Sequence, residues 1–368
     1  MEPSGNRADN IRIGKDTSMK ILVTGNMGYV GPPVVRQLRR SYPDATIIGF
    51  DIGYYSTCSI PLDFLPELRL DQQYFGDVRS FPENILDNVN AIVHLAAISN
   101  DPIGSKYEDV TMEINHRATI NLAKKAKKAG VGTFVFASSC SMYGSAEGGA
   151  RTEDAPLNPL TAYARSKVFS ERDLQPLAGD GFTVTSLRFS TACGISDRLR
   201  LDLVLNDFVA GAVSSKQISI LSDGTPWRPL IDVKDMARAI DWAISRDSSI
   251  GGDFFAVNVG REQGNYQVRQ LAEAVARLIP GVEVQINADA QPDKRSYRVN
   301  FDLFKRIAPD HLPVCDLDTS ITGLRDGLLA LNFKDERFRQ SHFMRLVQLS
   351  YLREKGFLTE NLQWANKE

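Results

Sequence analysis

Lys20-Ile21-Leu22-Val23-Thr24-Gly25-Asn26-Met27-Gly28-Tyr29-Val30-Gly31 carries the decisive reading. A short apolar run ends in a turn with glycines at three spaced positions. Gly25 allows a tight turn, Gly28 lets backbone approach a pyrophosphate, and Gly31 lets a helix pack closely on the strand. Met27, Tyr29 and Val30 fill the remaining places of this cradle. The following helix would aim its free N–H groups at the phosphates. Pro32 and Pro33 fall in its first turns, where those groups largely lack partners anyway, so their cost is small. The next apolar run, residues 46–50, ends at Asp51, 26 positions beyond Gly25. A carboxylate there accepts from both ribose hydroxyls and repels a 2′-phosphate. No Arg or Lys follows in Ile52-Gly53-Tyr54-Tyr55, which favours NAD over NADP.

Working outward, further apolar runs at 73–76, 91–96, 133–137 and 183–187 alternate with helix-like stretches. Continuous apolar runs suit strands buried on both faces. The alternation predicts an α/β, doubly wound Rossmann sheet. Gly76-Asp77-Val78 follows the third strand, where Asp77 could accept from the adenine amino group or cap a turn. Leu95, Ala96 and Ala97 follow His94 and lie where a cofactor would cross the sheet. His94 itself reads as a histidine satisfied within the core. A helix over 108–128 places Val110, Ile114, Ala118 and Leu122 on one stripe and ends at Gly130. The lysines at 124, 125, 127 and 128 read as its solvated face.

A second helix, 162–177, carries Tyr163 and Lys167 at i and i+4, on one face. A tyrosine of reference pKa ~10 is a poor base at neutral pH. A neighbouring ammonium, helped by an oxidised nicotinamide, favours the phenolate. Tyr163 could then take the proton from an alcohol or sugar hydroxyl as hydride leaves for the cofactor. Ser138-Ser139-Cys140-Ser141 ends the fifth strand, where open α/β sheets bind ligands. Ser139 could hydrogen-bond the same reacting oxygen.

In these features the sequence resembles the extended short-chain dehydrogenase/reductase family, specifically its nucleotide-sugar epimerase/dehydratase group. The resemblance covers about residues 20–332 and rests on the TGNMGYVG, GDV, VHLAA, SSCSMYG, YARSK and LRF segments. It implies Ser139, Tyr163 and Lys167 as the catalytic set. It also implies Asn115 as the asparagine near the active site. Segment 226–235 resembles the family's nucleotide-diphosphate segment, making Arg228 a phosphate ligand, with Asn206, Thr191 and Arg295 as further substrate contacts. Arg298 is an alternative to Arg295, and Tyr297 could shape the same wall. The chain departs from the family at Thr191, where Asn is common, and at Asp232, where His is common. The family's Arg-x-x-Asp pair appears only as Asp293 beside Arg295.

The family's dehydratases carry Asp-Glu after the triad hydroxyl; here Cys140-Ser141 stand there, so dehydration is disfavoured. The expected activity is a nucleotide-sugar 4-epimerase working through a transient 4-keto sugar. The alternative is a net nucleotide-sugar 4-oxidoreductase; a non-catalytic NAD-binding protein is the reading of another class. The resemblance implies a homodimer joined through helices 108–128 and 162–177.

The chain has 368 residues, two to three domains' worth at ~150 each. We divide it into a disordered arm (1–18, with Met19 an alternative start), a Rossmann domain (19–188, with segments returning near 230–260), a nucleotide-sugar lobe (189–332) and a helical extension (333–368). Residues 198–202, 222–228 and 291–298 read as loops with exposed arginines. The extension's Phe338, Phe343, Leu346, Val347 and Leu352 suggest an amphipathic helix packed on its own subunit or a partner. A net charge of −2 argues against nucleic acid or an anionic membrane as partner. The four cysteines are dispersed, which excludes a zinc motif by spacing and fits a reducing, cytoplasmic setting.

Overall fold

The computed structural model describes residues 19–60, 65–99, 101–146, 148–287 and 295–365. The expected arm at 1–18 and Asp293 lie outside them. The strands are β1 (Lys20–Thr24), β2 (Thr46–Asp51), β3 (Gln72–Phe75), β4 (Ala91–His94), β5 (Thr133–Ser139), β6 (Thr183–Phe189), β7 (Thr191–Cys193), β8 (Gln217–Ile220), β9 (Trp227–Asp232), β10 (Phe254–Val259), β11 (Asn265–Gln267) and β12 (Glu283–Ile286). The α-helices are α1 (Gly31–Ser41), α2 (Asp101–Lys106), α3 (Glu108–Met112), α4 (Ala118–Lys128), α5 (Ala162–Leu174), α6 (Val204–Ser214), α7 (Val233–Ser245), α8 (Val268–Leu278), α9 (Asp302–Ile307), α10 (Leu317–Ala330) and α11 (Arg345–Glu354).

Seven parallel strands form the central sheet in the order β10-β6-β5-β4-β1-β2-β3. The order reverses between β1 and β4, which makes the switch point where open α/β sheets take their ligands. Period two sends alternate residues to opposite faces. Leu22 packs with Ala118 and Leu122 of α4, whereas Ile21 and Val23 pack with Val34, Leu38 and the apolar face of α7. The doubly wound α/β sheet expected from the alternation is present.

β10 returns to the sheet edge after the excursion through β7–β9. Around that excursion, β7, β9 and β11 make a small mixed sheet and β8 pairs with β12. α6, α8 and α10 close a separate core over these pieces, with Leu205, Leu271 and Leu324 fully buried.

Three local expectations need correction. The helix over 108–128 is not continuous: α3 and α4 are separated by a π-helical turn, Glu113–Arg117, centred on Asn115. The arginines at 198 and 200 are not exposed but buried. β4 stops at His94, so Leu95–Ala97 form a loop. The 333–368 extension holds α11 against its own chain: Leu349, Leu352, Leu358 and Leu362 join the core beneath β2 and α4.

Candidate active site

A cavity of about 770 Å³ runs along the carboxyl ends of the central strands. Gly25, with φ at +77°, shapes one end: a Cβ there would lie 2.5 Å from the Ala96 nitrogen. A Cβ on Gly31 would reach 2.0 Å from the Asn26 carbonyl oxygen, so only glycine lets α1 begin there. No side chain caps α1, and its first turn holds no acid. Its early N–H groups therefore suit an anion. The prolines at 32 and 33 remove two donors from that set, and Gly28, Tyr29 and Val30 are the cradle residues that line the cavity beside Gly25.

Gly28, Tyr29, Val30, Asp51, Asp77, Val78, Leu95, Ala96 and Ala97 line the same cavity. Asp51 accepts from the Met27 N–H at 3.0 Å and the Gly53 N–H at 2.7 Å; burial nevertheless raises its carboxyl pKa. Met27 thus works through its backbone, and neither Met27 nor Gly31 is part of the cavity wall. Asp77 caps the following turn and pairs with Arg79 at 2.5 Å while facing the cavity. The cradle, the open helix start and the two carboxylates fit a dinucleotide.

At the far end, β5 delivers Ser139 and α5 delivers Tyr163 and Lys167. α5 starts at Thr161, whose hydroxyl accepts from the Ala164 N–H at 3.1 Å and donates to Asp101 at 2.7 Å. That cap fixes Tyr163 in the first turn. Lys167 donates to the Ala137 carbonyl at 2.7 Å, and its Nζ lies 5.6 Å from the Tyr163 ring centre. Burial pushes the Tyr163 phenol up to about 12, offset in part by a hydrogen bond with Ser139. Burial likewise pushes Lys167 down to about 7, with Glu171 opposing. Burial thus opposes the charged form of both groups in the ligand-free chain.

His94 bridges Thr24 at 2.7 Å and Thr119 at 2.8 Å inside the core, and burial pushes it down to about 3. It is a structural joint.

Two expected site residues, Asn115 and Asn206, are not part of the cavity wall. Asn115 does not reach the cavity. Its Oδ1 accepts from the Ile98 N–H at 2.7 Å, and its Nδ2 donates to the Ile98 carbonyl at 2.8 Å and to Ser166 at 3.2 Å. It ties the β4 loop to α5 and so positions Tyr163. Asn206 is fully buried, with its Oδ1 accepting from Gly194 N–H at 3.1 Å and its Nδ2 donating to Tyr29 at 2.9 Å and to the Arg200 carbonyl at 2.8 Å. These three bonds tie the start of the second lobe to Tyr29 of the cradle.

Thr191, Arg228, Arg295 and Tyr297 do line the cavity. Arg228 donates to the carbonyls of Trp227 and Arg295, and Arg295 pairs with Asp101 at 2.5 Å. Arg298 instead lies over the Trp227 ring at 5.2 Å and is not part of the wall. Asp232, in place of the common His, caps α7 and accepts from Ser320 at 2.8 Å. Residues missed from sequence include Arg200, Asp202, Arg339 and Arg345. Arg200 pairs with Asp202 at 2.6 Å and Arg339 with Asp207 at 2.7 Å. Their only trace in sequence was an arginine-rich loop and a tail read as packing.

A dinucleotide cradle at one end of a cavity and a Ser–Tyr–Lys set at the other define an NAD-dependent enzyme. The chain belongs to the NAD dependent epimerase/dehydratase family, whose model matches residues 21–260, and NAD is its cofactor. It is 26% identical to the UDP-glucose 4-epimerase of Lactobacillus helveticus over 280 residues, covering 71% of this chain and 82% of the relative. It is 29% identical over 230 residues to the dTDP-glucose 4,6-dehydratase of Streptomyces griseus, covering 60% and 68%. Among solved structures, the UDP-glucuronic acid 4-epimerase of Bacillus cereus, in complex with UDP-glucuronic acid and NAD, shares the fold. The TM-score is 0.73 at 20% identity, with 85% of this chain and 100% of that one covered. Among the described residues, no helix is long and apolar enough to cross a membrane.

Proposed function

We propose that the chain is a nucleotide-sugar 4-epimerase in which Tyr163 removes the C4 hydroxyl proton as hydride passes to NAD. The ketosugar then turns about its diphosphate linkage and takes the hydride back on the other face. Tyr163 returns the proton, so NAD is regenerated and the reaction balances. Ser139 would hold the reacting oxygen, and Lys167 the nicotinamide ribose. Asp51 would accept from the adenosine ribose, and Asp77 from the adenine. Thr191, Arg228 and Arg295 would hold the sugar nucleotide.

One observation carries this reading over dehydration. No free acid follows Ser139: Cys140 is buried, its Sγ donating to the Arg188 carbonyl at 3.0 Å, and burial pushes its thiol up. Asp101, Asp202 and Asp207, which also face the cavity, are each bound to an arginine. Among the described residues at the Ser139 end of the cavity, the acids are thus tied up, which favours moving a hydride and a proton over expelling water.

The test is a panel of UDP- and dTDP-sugars incubated with purified protein without added cofactor and followed by NMR. Interconversion of C4 epimers supports the proposal, and its absence across the panel contradicts it. Stoichiometric growth or loss of NADH absorbance instead would select the net oxidoreductase. Two copies are further proposed to pair through α3–α4 and α5 as a four-helix interface. Sedimentation as a monomer at micromolar concentration would refute that pairing.

A further inference from the structure

Arg345 opens α11 in the C-terminal extension and lines the cavity together with its neighbour Met344. It is only 3% exposed. Its guanidinium lies 4.2 Å over the ring of Tyr55, on the loop that leaves Asp51. That stacking satisfies the guanidinium's face, while its edge has only the Cys58 thiol, a weak partner, beside it among the described residues. Among the described residues, Nη1 and Nη2 have no hydrogen-bond partner. Cavity arginines 200, 295 and 339 are each held by a carboxylate.

Two local costs compound. A buried guanidinium with unmet donors is expensive. A cation in the first helical turn also opposes the macrodipole, and that turn of α11 contains no acid. Both costs reverse if an anion sits there, because a helix start and a planar fork each donate to phosphate oxygens. The nearby Arg200 is paired with Asp202 at 2.6 Å, so Arg345 is the cation of this corner without a carboxylate bound to it among the described residues. Local rules broken together mark a functional place.

We propose that Arg345 and the first turn of α11 form a phosphate-binding element that closes the cavity over a diphosphate. This rests on the reading that the cavity takes a dinucleotide and a nucleotide sugar. Either diphosphate offers the required chemistry. The extension would then be part of the binding site and not only a packing strap.

The test is calorimetric titration of the full-length protein, freed of bound nucleotide, with NAD and separately with UDP. Arg345→Met keeps the bulk and removes the fork; Arg345→Lys keeps the charge. The expected result is at least a tenfold loss of affinity for one ligand in Arg345→Met, partly restored in Arg345→Lys, with no fall in the Tm of the ligand-free protein. Loss confined to NAD assigns the cofactor's diphosphate, and loss confined to UDP assigns the substrate's. Unchanged affinity for both overturns the proposal, as does an equal loss for both that tracks a fall in Tm. If Arg345→Met does not fold, Arg345→Lys decides: a threefold or greater loss supports the fork, and none overturns it. These are equilibrium binding measurements, so a failure to epimerise any sugar would leave this result standing, and the reverse holds too.

Discussion

At the scale of single residues, the proposed chemistry turns on two buried groups that burial drives toward neutrality. Tyr163 is held up at about 12 and Lys167 down at about 7. Tyr163→Phe removes the proton acceptor and keeps the ring. Its turnover should fall by roughly 10²–10⁴, with NAD still bound when the protein is isolated; single-turnover kinetics and released-ligand mass spectrometry check both. Lys167 makes a distinct pH prediction for the ligand-free chain. Between its folded value near 7 and its unfolded value near 10.5, the unfolded chain binds more protons. Stability from this group therefore rises with pH across that window, at up to about 1.4 kcal/mol per pH unit. Relative to Lys167→Met, the wild type should gain in urea unfolding free energy from pH 7 to pH 10. A flat difference would place Lys167 in a more polar setting than the fold gives it. That Ser139, Tyr163 and Lys167 come together at one end of the cavity was legible from the sequence, because spacing along a helix and a strand end fixes who meets whom. Their protonation was not, because it depends on how deeply the folded chain buries them.

At the scale of elements, the β4 loop, the π turn and α5 behave as one joint. Asn115 makes three hydrogen bonds across it, two of them to the backbone of Ile98. Asn115→Ala would leave that buried N–H and carbonyl unpaired, at a cost on the order of 2–4 kcal/mol. Chemical denaturation measures the loss, and kcat should suffer more than KM because α5 carries Tyr163. The apolar stripe of 108–128 announced a helix but not its interruption. Helical periodicity survives one extra residue in a turn, and the Asn115 carbonyl is taken up by side chains, the Thr119 hydroxyl at 2.8 Å being one of them. The Ser170 hydroxyl donates to the Asn115 carbonyl at 3.0 Å, from a helix more than fifty residues away in sequence. The glycine cradle, by contrast, was fully legible, since Gly25 and Gly31 are dictated by contacts within one strand–turn–helix unit and its neighbouring strand.

At the scale of the whole molecule, the C-terminal extension binds the cofactor-side loop from outside. Trp364 donates to the Ile52 carbonyl at 2.7 Å, and Gln348 to the Tyr54 carbonyl at 3.2 Å and the Thr57 hydroxyl at 3.1 Å. Leu349, Leu352, Leu358 and Leu362 meanwhile complete the core below. Each fully buried leucine contributes about 1.5–3 kcal/mol. Deleting residues 345–368 should therefore lower Tm sharply and weaken NAD binding together, as thermal melts with and without NAD would show. An unchanged melt would mean the extension is ornamental. The amphipathic pattern of the extension was visible in sequence, but its target was not. Nothing local links residue 345 to residue 55; likewise Arg198 is held by Glu67 at 2.7 Å and Arg200 by Ser99 at 3.0 Å, both distant in sequence, so those two arginines were misread as exposed.

The most direct measurement is NMR of UDP-sugar 4-epimers mixed with the purified wild type and with Tyr163→Phe, without added cofactor, while NADH absorbance is watched. The account predicts that at least one sugar approaches its epimeric equilibrium with no net NADH change, and that the phenylalanine variant all but stops. Equal rates in the two proteins, or no epimer from any sugar, would contradict it.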